Sequence, residues 1–344
     1  MRFRLLFLVL PLGLLAACSK TETPVQLDFI GATGLTAGNV TVGANDTLTT
    51  RAYAVGNDNQ LTRLRITVTY EPGPNPILYP VPISGYDPKD APVPQTLVYL
   101  DSLITPRFGA SSNSPRGGEY LFTNRFSARA TSGTELWQYT VSDNTGESAT
   151  RAYRLTVRKA DSAAVFHSYN LLLRPRPSAD SDTAKDRARV FLSLGTGLLL
   201  PKYALLSKQP TAQAQLQPNQ QLVDLVCTVR GTNLTLEAPA YPGQRPFLPA
   251  DRWPNPRVTR LRRTNLSAND FTGAATDDAF ANAFNAGQLF GNPADSLSTG
   301  TLARNQVIAF RTTEGKAGLL LVSDVVLGTS PVLTCAVKVQ KMRN

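Results

Sequence analysis

Leu136-Trp137-Gln138-Tyr139-Thr140-Val141 runs into Ser142-Asp143-Asn144-Thr145-Gly146, and Ala152-Tyr153-Arg154-Leu155-Thr156-Val157 follows. Apolar and polar residues alternate through both hexamers, which is the pattern of a strand with one buried face. The Asp-Asn-x-Gly segment between them supplies turn residues, so the stretch predicts a β-hairpin. Outward from it the same alternation recurs. Leu64-Arg65-Ile66-Thr67-Val68-Thr69-Tyr70 is apolar at every second position. Further strands are predicted at 47–54, 79–83, 97–100 and 120–128, separated by Gly, Pro, Asn and Asp. The proline-rich insert 71–94 reads as a long loop or edge ribbon, because proline cannot donate to a strand ladder.

The run Tyr139-x-Val141-x-Asp143-x-x-Gly146, closing on Leu155-Thr156-Val157, resembles the last two strands of immunoglobulin-like PKD or cadherin-type domains of bacterial surface proteins. The resemblance implies an Ig-like β-sandwich over residues 27–159. There is no Cys…Trp…Cys pattern, so it implies no antibody-type disulfide. Residues 158–164 form the expected linker, and a second domain is expected over 165–344.

In that second region strands are predicted at 168–173, 190–194, 222–229, 233–237, 307–312, 319–325 and 332–341, with a polar loop at 175–187. One helix stands out. Thr276 is a suitable N-cap, Asp277 and Asp278 suit the positive helix start, and Phe280 and Phe284 are four apart. Gly287 is a fitting stop, and Ser267-x-x-Asp270 predicts an earlier helical turn. The expected fold class is therefore mainly β: a sandwich followed by a β-rich α+β domain with one or two short helices. The order of segments 191–197, 224–226, 236–240, 253–261, Asp270-Phe271, 307–312, 315–319 and 337–341 is similar to that of lipoproteins of Bacteroidota. That resemblance implies location and architecture, and no chemistry.

The N-terminus agrees on location. Arg2 and Arg4 precede a ten-residue apolar run at 5–14, too short to span a bilayer, and Leu15-Ala16-Ala17-Cys18 is a lipobox. Residues 1–17 read as a lipoprotein signal peptide, Cys18 as the lipid-attachment residue, and 18–26 as a tether. Ser19 after the cysteine resembles the enterobacterial rule for the outer membrane, and the tail 18–22 resembles short surface-export signals of Bacteroidota. A cell-envelope protein held to the membrane by its lipid is the expectation.

Composition bounds the rest. Charged residues make 17% of the chain and Gly plus Pro number 49 of 344, a turn-rich balance. The formal charge of +10 includes Arg2 and Arg4, which leaves about +8 on the mature chain. No basic helix and no zinc pattern accompanies that charge, so nucleic acid is not an expected partner. Cys227 and Cys335 both sit in strand-like runs, where they read either as buried thiols or as a disulfide permitted outside the cytoplasm.

His167 is the only histidine. It lies at the linker edge with no G-x-S-x-G anywhere, and reads as an ordinary surface or interface residue. No metal or cofactor motif is present, so no cofactor is expected. Asp58 and the turn Asp143-Asn144-Glu147 offer oxygens suited to a hard cation, but such residues are also simply good turn formers. Asp224, Glu237 and Asp251 are the acids weighed for a glycoside hydrolase, which needs two carboxylates across a cleft. Trp253 lies in a proline-rich loop with Tyr241 nearby, and 245–263 holds six arginines, Arg252 and Arg257 among them, against one acid. An aromatic beside guanidinium groups can hold a glycan by stacking and bidentate hydrogen bonds. Trp253, Tyr241, Arg252 and Arg257 are therefore the candidate ligand-binding residues. The competing reading of the same loop has Trp253 plugging the core. The expectation is a non-catalytic binding or structural protein with a glycan or envelope-protein partner; a glycoside hydrolase is the alternative.

Overall fold

The computed structural model describes residues 24–111, 114–177, 179–291 and 295–341. Cys18 and the signal peptide lie outside the described residues. Among the described residues no helix is long and apolar enough to cross a membrane.

The first half is a two-sheet sandwich built from β1 (Gln26–Phe29), β2 (Val40–Gly43), β3 (Thr47–Gly56), β4 (Leu61–Glu71), β5 (Gln95–Leu103), β6 (Gly118–Ser127), β7 (Gly133–Asp143) and β8 (Ser148–Arg158). One sheet has the order β1-β3-β6 and the other β2-β8-β7-β4-β5. The hairpin expected from the opening stretch is β7–β8, with Trp137 opposite Tyr153. Gly146 in its turn has φ 94°, a conformation that favours glycine. Trp137, Tyr139, Val141, Tyr153 and Leu155 all point into the core, as the alternation requires. The short β2 pairs in parallel with β8, so the N-terminal segment contributes a strand to each sheet.

The expected strand at 79–83 does not form. Residues 72–94 instead make an insert whose regular structure is two 3-10 turns, at Ile83–Gly85 and Pro88–Asp90. Five prolines from 72 to 82 remove the donors a strand would need.

The second half opens with β9 (Phe166–Leu173), α1 (Asp182–Arg187), β10 (Arg189–Leu192), β11 (Leu199–Pro201), α2 (Pro210–Gln220), β12 (Leu225–Arg230) and β13 (Asn233–Glu237). It continues through β14 (Arg260–Arg263), α3 (Ala268–Gly273), α4 (Asp277–Ala286), β15 (Val307–Arg311), β16 (Ala317–Val326) and β17 (Val332–Gln340). Its sheets have the orders β11-β10-β12-β13 and β14-β15-β16-β17-β9. The near-continuous apolar runs of β15 and β16 are explained by burial on both faces. Val307, Ala309 and Leu319 meet Phe271, Phe280 and Phe284 of α3 and α4, while Ile308, Phe310 and Leu320 point into the main core. Thr276 caps α4 by accepting from Ala279 N–H, and Ser267 and Asp270 close a reciprocal cap on α3. Gly287 ends α4 at φ −71°, and its need is space: a Cβ there would stand 2.6 Å from Arg262 Cβ.

The two halves share one core. Buried apolar residues from both form a single continuous cluster, from Leu64 and Trp137 to Leu225 and Val337. The linear division into 27–159 and 165–344 thus follows the sheets but does not divide the core. Tyr203 packs edge-on to Tyr99 and Phe122 and donates to Asn124 Oδ1 at 3.0 Å. Asn219 Nδ2 donates to Val98 O at 2.7 Å, and Asn45 Nδ2 to Asn170 O at 2.8 Å.

Candidate functional site

Trp253 is fully buried. Residues 249–253 form a helical turn, in which Arg252 N–H and Trp253 N–H both bond Pro249 O, and this carries the indole inward against Phe191. The ring is therefore unavailable for stacking on a ligand, and of the two readings of this loop the one with Trp253 plugging the core is the one observed, so Trp253 is withdrawn as a ligand-binding candidate. Tyr241 is half-buried, with Cε1 lying 2.5 Å from where a Cβ on Gly243 would stand. The two rings do not form a common surface.

Arg257 is also withdrawn from ligand binding. Its guanidinium donates to Asp224 Oδ1 at 2.7 and 3.1 Å, to Gln221 O at 2.8 Å, and to both oxygens of Glu314. Asp224 further accepts from Leu194 N–H at 2.8 Å. Burial pushes the Asp224 carboxyl up. The Glu314 carboxyl, also desolvated, is nevertheless held down at about 2 by its hydrogen bonds from Arg257. The network pins the 312–317 turn to the strand entry at 224, a structural task.

The other weighed acids are similarly placed. Glu237 accepts from Arg230 Nε and Nη2 at 3.0 and 2.8 Å, from Gln244 Nε2 at 2.6 Å and from Thr235 Oγ1 at 3.0 Å. Asp251 is exposed. Asp143 Oδ1 accepts from Thr145 N–H, Thr145 Oγ1 and Glu147 N–H, so the turn consumes the oxygen that a cation would use. Cys227 and Cys335 are free, buried thiols, pushed up by burial. They lie in different sheets, facing Leu236 across one ladder and Val322 and Leu171 across the other, and of the two readings it is the buried thiols that the structure holds, as two small apolar side chains.

Of the four candidates, Arg252 lines a cleft. A cleft of about 540 Å3 opens over β10 and β12, walled by α1 and the turn at 202–204 on one side and by residues 244–252 on the other. Val190, Phe191 and Val226 make its apolar floor. Phe247, 46% exposed, stands on the rim with the Arg230 guanidinium 5.8 Å from its ring centroid. Five basic residues line the cleft: Arg176, Lys185, Lys202, Lys208 and Arg252. Its acids, Asp182 and Asp186, both project from α1 and pair with Lys185 and Lys202. Lys208 and Arg252 have no ion pair among the described residues. Sequence reading passed over Phe247; the signal was a phenylalanine in Arg245-Pro246-Phe247-Leu248-Pro249, where flanking prolines keep it out of a strand.

His167 is buried, so of its two readings, surface or interface, the surface one falls away. It lies on β9, tilted against the Tyr169 ring at 5.1 Å, with Nδ1 3.4 Å from Lys159 Nζ. Burial, and then Lys159, Lys341, Arg129 and Lys316, push it well below the usual imidazole range. It is neutral at physiological pH.

No family model and no curated protein matches the chain. Among solved structures it is similar to a chitin binding domain from Burkholderia pseudomallei, at 12% identity and a TM-score of 0.21, over 36% of this chain and 58% of that one. It is also similar to Spo0M, a sporulation control protein from Bacillus subtilis, at 10% identity and a TM-score of 0.24, over 62% of this chain and 78% of that one. At these scores neither likeness carries an argument about function.

Proposed function

We propose that this is a lipid-anchored protein of the cell envelope with a non-catalytic binding role, its ligand a glycan held at the cleft beside Phe247. The location rests on the basic n-region, the short apolar run and the lipobox ending at Cys18. Ser19 favours the outer membrane. The Ig-like resemblance and the similarity to Bacteroidota lipoproteins suit such a protein.

One observation carries the binding reading: an exposed ring at the mouth of an apolar-floored cleft whose rim is basic. Sugars offer an apolar face to a ring and hydroxyls or acid groups to Lys and Arg. The acids of the cleft stand on one helix and are already paired, whereas hydrolysis of a glycosidic bond needs two carboxylates flanking it.

Affinity electrophoresis of the mature chain in detergent, through gels containing neutral or acidic polysaccharides, tests this. Retardation by at least one polymer is expected, and Phe247→Ala and Arg252→Ala each weaken it by about tenfold, the loss of one stacking or charged contact. No retardation by any polymer, or retardation unaltered in both variants, sinks the proposal and leaves a protein partner as the next search.

A further inference from the structure

A second concavity, of about 250 Å3, lies at the junction of the two halves, away from the cleft. Lys159, Lys341, Arg129 and His167 line it. Arg129 spends three of its five N–H donors, on Thr131 Oγ1, Pro72 O and Gly73 O. The two lysines are less engaged. Lys159 Nζ donates to Ser168 O and faces His167 Nδ1; Lys341 Nζ donates to Ser162 O at 2.8 Å. An ammonium has three donors, so each keeps at least one in reserve.

Neither lysine has a carboxylate partner among the described ion pairs, although Lys341 is 9% exposed and Lys159 is half-buried. The acid that lines the cavity, Asp161, accepts from Tyr79 Oη at 2.8 Å. The charged groups that bear most on His167 are all cations. Burial and then the charge of Lys341 push the Lys159 ammonium down to about 8. His167 adds an independent sign: its Nε2 is buried and has no hydrogen-bond partner. Asp161 acts on Lys341 without forming an ion pair with it, so a single carboxylate faces two desolvated ammoniums that keep spare donors, and a further anion would offset their desolvation.

We propose that Lys159 and Lys341 form a site for a compact oxyanion, a sulfate, phosphate or carboxylate group, at the junction of the two halves. The wall formed by Tyr79, Ser132, Lys159 and Asp161 is shared with an adjoining groove of about 740 Å3. There Tyr79 and Tyr86 meet edge-on at 4.8 Å. The groove gives an oxyanion carried on a sugar room beside two rings, and a free oxyanion would use the lysines alone.

Isothermal titration of the mature chain in detergent, at constant ionic strength with chloride as reference, tests the site with three probes: inorganic sulfate, inorganic phosphate and glucuronate. Saturable binding of at least one is expected, weakened about tenfold or more by Lys159→Gln and by Lys341→Gln through loss of one charge-assisted contact. Tighter binding of glucuronate than of both inorganic ions, reduced by Tyr79→Ala, identifies a sugar-borne group; equal or tighter inorganic binding identifies a free one. Lys159→Arg keeps the charge and is expected to keep binding, which separates charge from packing. Thermal unfolding supplies a second readout: each bound probe raises the midpoint of the wild type more than that of either Gln variant. No saturable binding of any probe, or equal binding in wild type and both Gln variants, overturns the site.

Discussion

Glu135 is fully buried on β7, yet its partners are chosen for a carboxylate. Oε1 accepts from Arg129 N–H at 2.5 Å and Oε2 from the Trp137 indole at 2.8 Å. Burial outweighs those donors and lifts the carboxyl from an ordinary 4.5 to about 7. The folded state therefore holds a proton that the unfolded chain has released between these values, and the associated stability is complete below about 4.5 and lost as pH rises through about 7. The shift corresponds to at most about 3 kcal/mol. In Glu135→Gln the side chain cannot titrate, and the amide oxygen can keep one of the two donors. Urea unfolding from pH 4 to 8 should show the wild type losing stability relative to Glu135→Gln across this window. A constant difference between the two proteins would show that Glu135 does not titrate there.

At the scale of elements, α2 shows how polar residues can fasten a helix. Its buried face carries Gln213, Asn219 and Gln220 beside Ala212 and Leu216. Asn219 Nδ2 donates to Val98 O and Ala204 O, both at 2.7 Å; Gln220 Nε2 donates to Leu205 O and Arg252 O at 2.8 and 2.9 Å. These amides satisfy carbonyls that the surrounding loops leave open. Asn219→Ala abandons two of them and should cost roughly 2–4 kcal/mol, at about 1–3 kcal/mol for each group left unsatisfied. The exposed Gln217→Ala should cost less than about 0.5 kcal/mol. Equal urea midpoints for the two variants would refute the fastening role. The same helix marks where sequence reading stops. Pro-Thr-Ala-Gln-Ala-Gln-Leu-Gln-Pro-Asn-Gln has an interior proline and no apolar stripe, so no 3.6-residue period announces it. Strands β4, β7 and β8 and the helix α4 were legible because each buries one apolar face. Trp253 stayed between two readings for a related reason: residue type and prolines place it in a loop, but only the turn at 249–253 decides that the ring points inward.

At the scale of the molecule, the halves were legible as separate strand sets but their union was not, since nothing in a linear pattern says which sheets share a core. Tyr203 sits on that seam, and its hydroxyl, bonded to Asn124, lies between rings contributed by β5 and β6. Gly197 marks a close approach on the same seam: it has φ 71°, and a Cβ there would stand 2.4 Å from Ala130 Cβ. Contacts of this kind couple the folding of each half to the other, because opening either one exposes apolar surface of both. A single calorimetric transition is therefore expected for the mature chain. Tyr203→Ala removes the seam's aromatic contacts and one hydrogen bond, at a cost of about 3 kcal/mol, and should lower that whole transition by several degrees. Two resolved transitions, only one of them moved by Tyr203→Ala, would mean that the halves fold independently. The seam would then be a docking contact between two stable units, and the lysine cavity at 159 and 341 would open and close with it.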